Sequence, residues 1–205
     1  MFVKGNILTA EDKLAEARKD YEQALAIREK IGEKITAEEN RIALAKLAIE
    51  EGSPGDEASL REVLTQAGKQ KEPEIETFAE ITLAESLLKS GRPADAAKEI
   101  LPAETAATKT EARLHRIDVF IVAGRVHAAK RDWSKAERLL TVALSESNQI
   151  GCGRCQLEAR LALAEMSVQR KDRNAQTSIA NLKSDATRRG FLLVAQKAAA
   201  LGAKN

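Results

Sequence analysis

Arg131-Asp132-Trp133-Ser134-Lys135-Ala136-Glu137-Arg138-Leu139-Leu140-Thr141-Val142-Ala143-Leu144 decides how the rest of the chain is read. Ala136, Leu139, Leu140, Ala143 and Leu144 follow the i, i+3, i+4, i+7 spacing that sets apolar side chains on one stripe of a helix. The Arg131-Asp132 pair ahead of them has counterparts along the chain. Gly52, Gly91, Arg131 and Lys171 follow one another at steps of 39, 40 and 40 residues. A second series of expected helix ends runs Gly32, about Lys71, about Thr108, Gly151 and Gly190, and its last step is again 39. Helical spacing recurs between the two series. It runs through Leu14, Ala17, Tyr21, Ala24 and Leu25, then Ile42, Ala45, Leu47, Ala48 and Ile49, then Ile81, Ala84, Leu87 and Leu88. A period near 40 with two helices per unit marks an α-solenoid. One helix pair cannot bury its stripe alone, so stacked pairs share one elongated core.

Composition agrees with an all-α chain. Of 205 residues, 43% are apolar and 31% charged, which excludes a disordered or membrane-embedded chain. The run Val119-Phe120-Ile121-Val122-Ala123 is far shorter than a membrane span requires. The spacing predicts ten helices, over roughly 9–31, 36–51, 56–71, 74–90, 93–107, 110–130, 133–149, 154–170, 173–189 and 191–202. Pro73 and Pro93 suit helix starts, where a missing N–H costs little. Ser53-Pro54-Gly55-Asp56 is a turn in which Asp56 caps the next helix. Pro102 should kink or end the helix that begins near Pro93. The chain opens on a helix of the second type, so its partner is expected upstream, in a longer protein.

Two segments resemble the tetratricopeptide repeat. Ala17-Arg18-Lys19-Asp20-Tyr21-Glu22-Gln23-Ala24-Leu25 is similar to that repeat's second helix, with a small residue at the helix crossing, an aromatic four on, then Ala-Leu. The segment from Arg131 to Leu144 resembles the same helix with its preceding turn. Ala45, Ala84, Gly124 and Ala164 fall at the close-contact position of the first helices, and Ala96, Ile100 and Ala103 fit the third unit. Gln176 stands where the fourth unit should carry a small residue, with Ala175 beside it. The repeats run near 40 residues rather than the family's 34, which implies longer helices. Together with Ala24-Leu25-Ala26-Ile27-Arg28-Glu29-Lys30-Ile31-Gly32, this resembles the repeat arrays attached to bacterial signalling and transcription-regulatory proteins.

The resemblance implies an α-α superhelix of antiparallel helix pairs over a single domain, 1–205. Its parts would be a half-repeat at 9–31, repeats at about 36–71, 74–107, 110–150 and 154–189, and a capping helix at 191–202. It further implies a non-enzymatic protein–protein interaction scaffold whose first helices line a concave groove. Carried over, the groove presents Glu39, Lys46 and Glu50, then Glu85 and Lys89, then Asp118 and Arg125, then Glu158, Glu165 and Gln169. Interleaved apolar positions are Ile42, Ile49, Ile81, Leu88, Ile121, Ala128, Leu161 and Val168. Such mixed faces suit an extended or helical peptide. The family's carboxylate-clamp variety needs Lys and Asn at set groove positions, and this chain has Ile, Lys, Glu and Arg there.

Cys152-Gly153-Arg154-Cys155 is the sharpest local motif. A Cys-x-x-Cys pair serves as a redox dithiol or as half a zinc site, and a helix N-terminus favours the thiolate. The redox motif, however, belongs in a βαβ setting. Structural zinc needs four ligands. The remaining candidates, His115 and His127, stand 12 apart on one expected helix, about 120° off a common face at about 100° per residue. The plainer reading is an interhelix loop. Gly151-x-Gly153 begins like a dinucleotide loop, but Gln156 occupies the place of its third Gly. No phosphate-loop, nucleophile-elbow or zinc-protease motif occurs, and the paired acids Glu38/Glu39 and Glu50/Glu51 read as solvated helix faces. The expectation is no enzyme, no metal and no cofactor.

Net charge of +2 hides an asymmetry. Residues 1–105 carry 15 Lys+Arg against 22 Asp+Glu, a net of −7, and residues 106–205 carry 18 against 9, a net of +9. Opposite halves can drive one copy onto another, which makes a homo-oligomer the alternative reading. The basic clusters around Arg113, Arg125, Arg170 and Arg188 lack the aromatics a nucleic-acid binder stacks on bases, with Trp133 in a packing position. The partner expected is a protein or peptide, not nucleic acid or membrane. The N-terminus lacks the apolar stretch of a signal peptide. The expected compartment is the cytoplasm, with a periplasmic domain of a larger protein as the alternative; two close cysteines suit either.

Overall fold

The computed structural model describes residues 1–203; the last two positions of the expected 1–205 domain lie outside the described residues. Among the described residues there are twelve helices and no strand. They are α1 (Phe2–Ala10), α2 (Leu14–Ile31), α3 (Lys34–Glu50), α4 (Glu57–Gln70), α5 (Pro73–Lys89), α6 (Pro93–Glu99), α7 (Leu101–Ala107), α8 (Arg113–Ala129), α9 (Trp133–Gln149), α10 (Gly153–Arg170), α11 (Ala175–Arg188) and α12 (Leu192–Gly202).

Twelve helices replace the ten expected for two reasons. The helix expected over 9–31 is really two, parted by a turn in which Asp12 takes φ 61°. The partner expected upstream of α2 is thus met by α1. Phe2 and Leu8 pack with Leu14, Ala17, Tyr21 and Leu47, and the Tyr21 hydroxyl donates to Asn6 at 2.7 Å. The helix from Pro93 is interrupted between α6 and α7, as Pro102 requires. Proline has no N–H to give the carbonyl four residues back, and its ring crowds that carbonyl.

The turns explain the period. Left-handed backbone occurs at Asp12, Gly52, Gly91, Arg131 and Lys171, at steps of 40, 39, 40 and 40. It occurs again at Gly32, Lys71, Gly151 and Gly190, at steps of 39, 80 and 39. A left-handed residue folds the amide after it back onto the last helical turn. At Lys171, for example, the N–H of Asp172 reaches the Ser167 carbonyl at 2.9 Å. The doubled step spans the segment after α7, where the expected beat near Thr108 is absent. The chain divides into two compact units at the same place.

The first unit comprises residues 1–9 and 13–105. Consecutive helices α2 to α6 pack on one another, and α3 packs on α5. Asp56 caps α4 by accepting from the Ser59 N–H at 3.0 Å, and Pro73 and Pro93 open α5 and α6. The second unit comprises residues 10–12 and those from 106 on. Consecutive helices α8 to α12 pack there, with α8 on α10 and α10 on α12. Gly124 explains how close α8 comes to α9, since a Cβ at this position would sit 2.6 Å from Leu140, which is fully buried. Ala175 is buried and Gln176 exposed, so the small residue the fourth unit needs stands one position early. Trp133, expected in a packing position, is half-buried at the start of α9. Val194, Ala195 and Ala198 of α12 close over α10 and α11 through Leu157, Leu161 and Leu182.

Two consequences are measurable. Gly124→Ala gains about 1 kcal/mol of helix propensity but forces a carbon into Leu140, and overpacking costs about 1–3 kcal/mol. A lower midpoint in urea is the expected result. The second concerns Glu80, half-buried on α5. Burial, reinforced by the Glu76 and Glu99 carboxylates, pushes its pKa up to about 7, against a hydrogen bond from the Ala103 backbone. The folded value lies above the ordinary carboxylate value. The contribution is therefore complete below about pH 4.5 and is lost as pH rises through 7. Urea midpoints taken from pH 5 to 8 should fall more for the wild type than for Glu80→Gln.

Candidate functional site

The ten expected groove residues all stand on helices of one type. Glu39, Lys46 and Glu50 lie on α3, Glu85 and Lys89 on α5, Asp118 and Arg125 on α8, and Glu158, Glu165 and Gln169 on α10. Steps of four and seven keep the members of each set on one helical face. None of the ten is buried, and Lys89 and Gln169 are exposed. The interleaved apolar residues behave differently. Ile42, Ile81, Ile121, Ala128 and Leu161 are buried in the packing between helices and present nothing to a ligand. Ile49, Leu88 and Val168 are half-buried.

In the second unit four of these charges meet. Arg125 of α8 donates from Nε to Glu165 and from an Nη nitrogen to Glu158, each at 3.0 Å. The two carboxylates are two turns apart on α10, so one planar guanidinium spans both turns. All three side chains are largely shielded, with Arg125 the most so at 17% exposure. Asp118 takes both its hydrogen bonds from Arg154, at 2.9 and 3.1 Å. Sequence reasoning missed Arg154. Its signal was opposite charge about one period away, since Asp118 lies 36 residues earlier.

The first unit is assembled differently. Glu39 lies 3.5 Å from Arg28 of α2, whose guanidinium also reaches the Thr36 carbonyl and the buried Asn40 side chain. The α3 and α5 sets keep the same register, Lys46 to Glu85 and Glu50 to Lys89 each being 39 residues apart. Pairs about one period apart recur outside the face as well. Arg18 meets Glu51, and Arg61 meets Glu99, separated by 33 and 38 residues.

The cysteine motif is not the plain loop expected. Cys152 and Cys155 are joined in a disulfide with their Cα atoms 5.3 Å apart. Cys152 is the N-cap of α10, and its Sγ accepts from the Cys155 N–H at 3.3 Å. The two histidines part company, as the spacing requires. His127 faces Asp132 at 3.3 Å, whereas His115 lines a depression beside Cys152. Among the described residues no helix is long and apolar enough to cross a membrane.

No family model, curated protein or solved structure matches this chain.

The α8–α10 cluster has a testable energetic consequence. Arg125→Met leaves Glu158 and Glu165 without their shared cation in a shielded position. The expected loss lies between that of an exposed pair and a buried one, about 1–3 kcal/mol. In a double-mutant cycle with Glu165→Gln, urea denaturation should show the two losses to be less than additive.

Proposed function

We propose that the chain is a non-enzymatic protein–protein interaction scaffold, a tetratricopeptide-like superhelix of antiparallel helix pairs. The observation that carries this reading is the recurrence of one helix type in register. Helices α3 and α5 pack side by side in the first unit, and α8 packs beside α10 in the second. Each presents charged side chains four or seven residues apart on a shared face. A face whose apolar residues are spent on packing, and whose rim carries Lys46, Lys89 and Gln169, suits a partner with a polar, charged segment. An extended or helical peptide fits the repeat spacing better than a compact ligand. Arg125, Asp118, Glu158 and Glu165 act within this scheme as the rigid floor of the face, because their charges are already matched.

Self-association is favoured by one specific observation. The change from net acidic to net basic composition falls at the division into compact units, near residue 105. In this reading the acidic unit of one copy meets the basic unit of another.

The test is capture from a cell lysate after nuclease treatment, at low and moderate salt, with the full chain as bait. Lys46→Glu combined with Lys89→Glu should lower retention of a specific protein at least tenfold, while Lys183→Glu on α11 should leave it unchanged. Equal retention by all three baits overturns the groove. Retention only of a second copy of the chain, lost at moderate salt, supports self-association instead. Capture abolished by nuclease points to phosphate binding by the basic half and overturns both readings.

A further inference from the structure

We propose that Cys152 and Cys155 form a reversible dithiol–disulfide couple that exchanges with a small thiol entering the depression beside the start of α10. The inference does not rest on the scaffold reading. It begins with an asymmetry of access. Cys155 is completely buried in the first turn of α10, whereas Cys152 is half-exposed and lines a depression of about 490 Å3. The other walls are the segment Glu111–His115 and Ile150. That volume admits a ligand of oligopeptide size. One sulfur is therefore open to an incoming nucleophile and the other is positioned to leave.

The surroundings suit a thiolate. The α10 N-terminus directs its unpaired N–H groups and dipole at Cys152, and the Cys155 N–H already contacts the Cys152 sulfur. Gly153 is covered by Arg189, since a Cβ there would collide with the guanidinium. Arg189 is held in place by the Gln156 side chain at 3.2 Å and by Asp185 at 3.5 Å. The depression adds Arg113 and His115, against one carboxylate from Glu111. Arg154, between the cysteines, is committed to Asp118. An anionic thiol meets a net positive approach.

A purely structural bridge explains the arrangement poorly. A disulfide three residues apart closes a very short loop, so it restricts the unfolded chain little. Packing on α8, α9, α11 and α12 already fixes α10.

The exchange balances as follows. The thiolate of an incoming thiol attacks the Cys152 sulfur. A bond forms between the two sulfurs as the Cys152–Cys155 bond breaks, and the electron pair leaves on Cys155, which takes up a proton. A second equivalent of the thiol attacks the sulfur of the first and releases Cys152 as a thiolate. Two thiols are oxidised to one disulfide, and two electrons and two protons pass to the cysteine pair. The reverse reaction oxidises two thiols on the pair.

The test uses the full chain in buffers of glutathione and glutathione disulfide, quenched by maleimide and read by mass. Reduction and reoxidation of the pair with unchanged helical circular dichroism is the expected result. A pair that resists glutathione and dithiothreitol until the chain unfolds overturns the proposal. Two variants test the direction of attack. Cys155→Ser should take one glutathione at Cys152, and Cys152→Ser should react at Cys155 at least tenfold more slowly. Equal rates overturn the assignment of Cys152 as the attacked sulfur. A last arm replaces glutathione with a reduced protein dithiol. Faster exchange with glutathione supports a small thiol, and exchange with the protein dithiol alone overturns that choice.

Discussion

No helix of this chain can stand alone, and the rest of the structure follows from that constraint. Each carries an apolar stripe that only a neighbouring helix can cover. Coverage at close range needs a small residue where two helices meet, which is the role of Gly124 against Leu140. Burying a single Leu is worth roughly 1.5–3 kcal/mol, and an exposed ion pair at most about 1 kcal/mol. Leu47, Leu83, Leu140, Leu157 and Leu182 are all essentially buried. Packing therefore decides which helices touch, and the charges decide how they are aligned. The Arg125 fork illustrates the second task. It holds α10 at one rotation relative to α8 because both carboxylates must reach a single planar group.

The same constraint explains what was legible in the sequence. Helices α8 to α10 were readable to within a few residues because stripe and punctuation agree there. Punctuation by residue type is the weaker of the two signals. Glycine announces a left-handed turn at Gly52 and Gly91, but Asp12, Lys71, Arg131 and Lys171 adopt the same backbone without its chemistry. Arg131 and Lys171 were found by their distance from Gly91. Asp12 stands one period before Gly52 and went unread, so α1 and α2 were merged. Neither of the helices it separates supplies a strong local boundary. The interior of α1 carries Gly5 and Asn6, which disfavour helix, and it forms through contact with Tyr21 rather than by propensity.

The candidate face was legible in position and not in pairing. Counting by four and seven assigned ten residues to the right helices, because helical geometry is local. Which charge meets which depends on the spacing between helices, and that is set by side chains such as Leu140 and Ala45 far from the charges in sequence. The apolar groove positions failed for the same reason. Ile42, Ile81, Ile121 and Leu161 share a face with the polar residues on a helical wheel. Packing turns them inward, since a wheel does not show how wide an arc the neighbouring helix covers.

Helix α10 is where the two readings of this protein meet. It carries Glu158, Glu165 and Gln169 along its length and the cysteine pair at its start. Arg154 links the two, lying between the cysteines in sequence while its guanidinium holds Asp118 on α8. The link is an ion pair whose Arg154 end is half-exposed, so it transmits little energy by itself. The helix body is pinned by Leu157 and Leu161 one turn further on, against Ile179 and Leu182 of α11. Opening the disulfide alters the N-cap, where one sulfur accepts one N–H, and leaves those apolar contacts in place. Chemistry at the start of α10 and recognition along its face therefore draw on separate interactions. A chain that loses one can keep the other.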